Sequence, residues 1–139
     1  MAFTGNYACN TFKSGLPSGT FSISTASTNL YISLYTNGAT LNADTAGYTA
    51  SSEVVASGYT ATGSILTVST VPIVTNDVAY WSFTNVSWSG AITARGALIY
   101  KVSGGTVCVL DFGADKTSTA TFTVQFPTAD STSAIIRIA

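Results

Sequence analysis

The sequence predicts an all-β protein, an antiparallel β-sandwich or jelly-roll-like barrel of about 7–9 strands behind an irregular N-terminal arm. Three observations predict it. Short stretches of alternating apolar and polar residues recur from residue 29 to the end. Gly, Asn and Pro punctuate them at the spacing of tight turns rather than of helical crossovers. Helical periodicity is nearly missing from the same region, which favours strands paired with their neighbours in sequence.

The elements run in order along the chain. Residues 1–28 carry Phe3, Tyr7, Phe12 and Phe21. Asn6 to Ser14 suits a short helix, but Gly15, Pro17 and Gly19 break the chain after it. This stretch reads as an arm or lead-in to a domain over 29–139, and its deletion is expected to leave a folded domain that no longer binds its partner. In Asn29-Leu30-Tyr31-Ile32-Ser33-Leu34-Tyr35, Leu30, Ile32 and Leu34 share one strand face. Thr36-Asn37-Gly38 turns. Residues 38–63 read as a long loop with at most a short strand near Glu53-Val54-Val55, a length that belongs to functional or partner-packed loops. Residues 64–71 form a strand closed by Pro72, and 78–83 and 86–88 form two more. Residues 91–102 are the clearest central strand, where Gly96 marks a bulge or a close backbone approach. Ser103-Gly104-Gly105 turns the chain into a strand over 106–112, and Gly113 to Lys116 turns again. Phe122, Val124 and Phe126 share a face before Pro127, and Ala134 to Ile138 ends the chain.

Composition narrows function. The chain has 139 residues, enough for one domain with a sizeable core, of which only 8% are charged, at a net charge of −1. Lys13, Arg95, Lys101, Lys116 and Arg137 are the only cations, too few for phosphate-based nucleic-acid binding. No apolar run reaches the roughly 18 residues of a membrane span. The first residues lack a basic segment followed by an apolar one, so no secretory signal is expected. Histidine is absent, which removes Ser-His-Asp and Cys-His nucleophile chemistry and the commonest metal ligand. Cys9 and Cys108 are too few for a zinc site and read as two reduced thiols, one disulfide being the alternative. No cofactor and no enzymatic activity are expected. Instead the chain carries 23 Thr and 18 Ser, a wet surface with little charge repulsion between copies.

The remaining motifs have plain structural readings. Asp111-Phe112-Gly113 lacks every other part of a kinase and reads as a strand exit. Asp111 and Asp115 lack calcium-loop spacing and read as turn caps. Asn85-Val86-Ser87 is a glycosylation sequon only on paper. Tyr80, Trp81, Trp88 and Tyr100 suit either core and interface packing or an exposed platform for stacking sugars. Arg95, set in a strand among small and apolar residues, needs either an intramolecular carboxylate (Glu53 or Asp111) or a contact across a subunit boundary. The candidate interface residues are therefore Phe3, Tyr7 and Phe12 of the arm, and Arg95.

Several blocks in order, Tyr31 to Asn42, Ser52 to Tyr59, Thr93 to Tyr100, Val109 to Lys116, Phe126 to Asp130 and Ala134 to Ile138, resemble a family of small structural proteins of tailed bacteriophages. The resemblance covers most of residues 29–139. The lead-in departs from the longer helix-like N-terminal region of that family, since Gly15 and Pro17 interrupt it. The resemblance implies a virion component, made in the host cytoplasm, with no catalytic residues to carry over. The first expectation is a capsid decoration (cement) protein on the head surface. It would bind the major capsid protein and associate with itself, a trimer by analogy. A tail, baseplate or fibre component is the alternative within the virion. A glycan-binding β-sandwich module is the alternative from a different class.

Overall fold

The computed structural model describes residues 3–21, 23 and 27–139. The chain is mostly antiparallel β, with a curled seven-stranded sheet that forms a half-barrel and a small two-stranded sheet beside it. The elements are β1 (Tyr7–Ala8), α1 (Asn10–Ser18), β2 (Ser27–Tyr35), β3 (Ser64–Thr75), β4 (Val78–Phe83), β5 (Val86–Ser89), β6 (Thr93–Lys101), β7 (Thr106–Thr117), β8 (Thr121–Val124) and β9 (Ile136–Ile138). The large sheet has the order β1-β7-β6-β2-β3-β4-β9, and β5 pairs with β8.

The alternation in the sequence explains the layers. Leu30, Ile32 and Leu34 of β2 face the main core together with Ala97 and Ile99 of β6, Trp81 and Phe83 of β4, and Trp88 and Phe122 of the small sheet. In the small sheet Trp88 lies opposite Phe122 and Val86 opposite Val124, while Ser87 and Thr123 share a hydrogen bond of 2.7 Å on the other face. The opposite face of the central strands is buried too. Tyr35, Leu98, Tyr100 and Val109 form a second cluster there with Phe3, Cys9, Ala39 and Leu41. Burial on both faces is why Ala97-Leu98-Ile99-Tyr100 reads as a continuous apolar run rather than an alternating one.

Phe3 and Cys9 of the N-terminal segment and Ala39 and Leu41 of the loop over residues 36–63 cover this second face, while Phe12, Phe21, Val54 and Tyr59 of the same segments join the main core. The described part of the expected arm is thus built into the domain. β1 pairs with β7, Tyr7 opposite Val109, and Phe3, Phe12 and Phe21 are buried. α1 runs through Gly15 and Pro17 to a left-handed Gly19 cap, which donates to the Leu16 carbonyl. Gly15 does not break it. A Cβ there would lie 2.5 Å from the Phe21 ring, so glycine is what lets that ring press on the helix. Phe12 meets Phe21 edge-on at 5.2 Å and Trp81 at 5.9 Å.

Two other local readings are corrected. β3 does not stop at Pro72. Its register with β4 shifts between Thr70 and Ile73, and the proline, which has no N–H to pair, sits in that irregularity. β7 does not end at Gly113. Ala94 pairs with Lys116 and Gly96 with Asp111, so residues 112–115 bulge opposite Arg95 before pairing resumes. Gly113, at φ +81°, makes the bend. Gly96 combines the two roles expected of it. It adjoins this bulge, and a Cβ on it would lie 2.4 Å from the Leu110 carbonyl oxygen and 2.5 Å from the Phe3 ring. Among the described residues no helix is long and apolar enough to cross a membrane.

Candidate interaction surfaces

The loop over residues 36–63 is held by one carboxylate. Glu53, the chain's only glutamate, forms an isolated bridge with Tyr35 at the end of β2. Its side chain is buried and accepts hydrogen bonds from the Tyr48 hydroxyl, the Tyr59 hydroxyl (2.7 Å) and the Thr62 N–H (2.8 Å). The tyrosines tie the loop to the sheet. Tyr59 accepts from the Leu34 N–H, Tyr35 donates to the Thr49 carbonyl, and Tyr100 donates to the Thr62 carbonyl. A buried charge survives only with such partners. Burial pushes the Tyr35 hydroxyl up to about 12 and raises Tyr100. Burial first, and donation to Glu53 second, raise Tyr48 and Tyr59.

Outside this network lies a concavity of about 430 Å³ lined by Tyr31, Tyr48, Thr62, Tyr100, Lys101 and the turn over residues 102–104. Tyr31 and Tyr100 are cross-strand neighbours on β2 and β6, with ring centroids 6.1 Å apart, and Tyr48 packs on Tyr100 at 5.1 Å.

A different surface is formed by the β3–β4 hairpin. Asn76 and Asp77 turn it, both at positive φ (52° and 62°), the primed geometry that suits a two-residue hairpin. Residues 71–77 are all exposed, so neither face of this tongue is covered. Val71, Ile73 and Val74 are 51%, 48% and 66% exposed. Ile138 of β9, also exposed, lies opposite Ala79, the β4 residue that pairs with Val74. No charged side chain occurs between Glu53 and Asp77.

The structure places each predicted residue. Phe3 and Phe12 are interior side chains that hold the N-terminal segment to its own domain, which corrects their reading as interface residues. Tyr7 is half-buried, its hydroxyl against that of Thr4. Arg95 takes the intramolecular option: its Nε donates to Asp111 Oδ1 at 3.0 Å across the β6–β7 pair. That hydrogen bond, with a smaller share from the Gly113 N–H, holds the Asp111 carboxyl below the usual carboxylate range. Trp81, Trp88 and Tyr100 are buried and Tyr80 is half-buried, so these four form no exposed platform. Cys9 and Cys108 are both free and buried, and burial raises both thiols. The Asn85 side chain accepts from the Phe126 N–H. Among the described residues no group of three or more His, Cys, Asp or Glu side chains could hold a metal ion.

Neither the Glu53 network nor the hairpin tongue emerged from the sequence. A signal existed for both: Glu53 is the lone charge between Asp44 and Asp77, and tyrosines lie five residues before it and six after. No family model, no curated protein and no solved structure matches this chain.

Proposed function

We propose that this chain is a structural protein of a tailed-phage virion, a decoration (cement) protein on the outside of the head. In this reading it attaches to the major capsid protein and to further copies of itself as a trimer. The observation that carries the reading is the hairpin tongue, a β-ribbon charged only at Asp77 of its turn, that leaves Val71, Pro72, Ile73 and Val74 in solvent. Such apolar exposure on a protein with few charges supports a surface covered in the working state. The resemblance of several blocks within residues 29–139 to phage structural proteins points the same way.

The chemistry would be adhesion alone. A protein that binds the assembled shell and not its separate subunits stabilises the shell by mass action. Many equivalent contacts on one particle add through effective concentration. With so little charge in the tongue, that adhesion would be nearly independent of salt.

The test uses heads stripped of their accessory proteins. Wild-type chain should co-sediment with them in hundreds of copies per particle and raise their disruption temperature. The variant V71D/V74D, altered only at exposed positions, should keep its urea midpoint and lose head binding. Equal binding by the variant would sink the role of the tongue. A dozen or fewer copies in intact virions would place the protein in the tail, baseplate or a fibre instead.

A further inference from the structure

We infer that the tyrosine-walled concavity beside the β6–β7 turn is a binding site for a neutral saccharide, stacking a pyranose ring against Tyr31 and Tyr48 over the buried Tyr100. The inference is independent of the proposed role in the head and uses none of the residues of the tongue.

Shape and wall chemistry come first. The concavity, about 430 Å³, falls in the usual range of small-molecule sites, roughly 300–1,000 Å³. Its walls are three tyrosine rings tilted 34–35° to their neighbours, with Tyr100 buried beneath two half-buried ones. Aromatic faces are electron-rich, and the polarised C–H face of a sugar is their natural partner.

Charge selects against ionic ligands. Lys101 lines the site with its stem: its Cδ, Cγ and Cβ lie against Gly104. Its ammonium is engaged elsewhere, donating to the Thr20 carbonyl at 2.6 Å and lying 5.8 Å from the centre of the Phe21 ring. The Glu53 carboxylate is occupied by Tyr48, Tyr59 and Thr62. What remains at the rim is neutral: Thr62 and Ser103, both exposed, bear hydroxyls, and Val102, also exposed, adds an apolar edge. An uncharged ligand with both hydroxyls and an apolar C–H face matches that rim better than an anion.

Backbone strain is the second, independent observation. Five non-glycine residues hold positive φ among the described residues. Asn76 and Asp77 serve the β3–β4 turn and Ser103 (φ 57°) serves the β6–β7 turn, while Thr62 (φ 79°), on the loop over residues 36–63, lines this concavity. A β-branched residue in that region is a genuine outlier. Thr62 is fixed there from both sides, its N–H on Glu53 and its carbonyl receiving the Tyr100 hydroxyl. Such strain persists where the surroundings over-determine it and collects at ligand sites. Here it holds the rim rigid before a ligand arrives, which lowers the ordering cost of binding.

The experiment screens the full chain on an array carrying neutral, sialylated and sulfated oligosaccharides. ¹⁵N-NMR titration with lactose, cellobiose and chitobiose comes next. Neutral saccharides should bind, with shifts confined to residues 31, 48, 62 and 100–104. Tyr31→Ala is the informative variant, because Tyr31 stands outside the Glu53 network; it should weaken binding about tenfold while lowering the urea midpoint only modestly and keeping a cooperative transition and a dispersed NMR spectrum. Binding restricted to sulfated or sialylated spots overturns the inference, as does the absence of binding to any neutral saccharide. Shifts mapping elsewhere, or an undiminished affinity in Tyr31→Ala, overturn it equally.

Discussion

Replacing Glu53 by alanine should loosen the whole face of the domain that residues 36–63 cover. Three donors converge on this carboxylate, from Tyr48, Tyr59 and Thr62. Tyr48 is half-buried and can turn its hydroxyl to water. Tyr59 is buried, and the Thr62 N–H lies in a part-buried hydrogen bond, so two donors lose their acceptor without easy replacement. Each such orphan costs about 1–3 kcal/mol, giving about 2–6 kcal/mol in all. Relief of the buried charge offsets some of this, so the working figure is about 3 kcal/mol. A chain of this length unfolds with an entropy of about 0.3 kcal/mol/K, which turns that figure into a fall of about 10 °C in Tm. Glu53→Gln keeps an oxygen where Tyr59 and Thr62 donate and should cost about 1 kcal/mol. Urea melts followed by tryptophan fluorescence give the global number. Hydrogen exchange gives the local one: protection should fall first at the Thr62 and Val54 amides, the latter bonded to the Leu34 carbonyl. A Glu53→Ala protein within about 0.5 kcal/mol of wild type, with unchanged exchange in the loop, would refute the claim that this carboxylate anchors it.

Alkali should act on the same network. Tyr35, Tyr48, Tyr59 and Tyr100 all have folded pKa values above the ordinary tyrosine value of about 10, so their contribution is fully present below pH 10 and is lost as pH rises towards 12. The urea midpoint should therefore drop between pH 10 and pH 12 while tyrosinate absorbance at 295 nm lags; seven tyrosines titrating together near pH 10 with no loss of stability would contradict this. Gly96→Ala should cost about 1–3 kcal/mol, because the new methyl meets the Leu110 carbonyl and the Phe3 ring, whereas Gly47→Ala, with nothing within 4 Å, should be nearly silent in the same thermal melt. A chain beginning at residue 22 should fail to fold cooperatively, because it lacks the buried Phe3, Cys9, Phe12 and Phe21; a dispersed NMR spectrum from it would show that the N-terminal segment is dispensable.

The legibility of the sequence divides along physical lines. Alternation located β2 and β5, and a continuous apolar run located the core of β6, because in each case the residues concerned are neighbours in the chain. The loop over 36–63, with its single bridge at Glu53, was legible from its density of small polar residues and glycines. Glycine and proline misled where a distant partner decided their role. Gly15 reads as a helix breaker until the Phe21 ring is placed on it, and Pro72 reads as a strand end until the register shift beside it is known. The Glu53 network was illegible for the same reason, since its members run from Leu34 to Tyr100 and meet only through the pairing of β2 with β6. Arg95 was the intermediate case. Its need for a partner was evident, with an intramolecular carboxylate and a subunit contact both open, and the β6–β7 register supplies Asp111.

The pairing of β1 with β7 sets the order of events during synthesis. Tyr7 and Ala8 wait for Val109 and Cys108, Thr11 for Thr106, and Asn6 for Asp111, partners that leave the ribosome about a hundred residues later. Until then Phe3, Phe12 and Phe21 have no permanent cover, and the nascent polypeptide carries a sticky, unclosed sheet. Closing so wide a loop is slow, so the N-terminal segment is among the last parts of this fold to find its place.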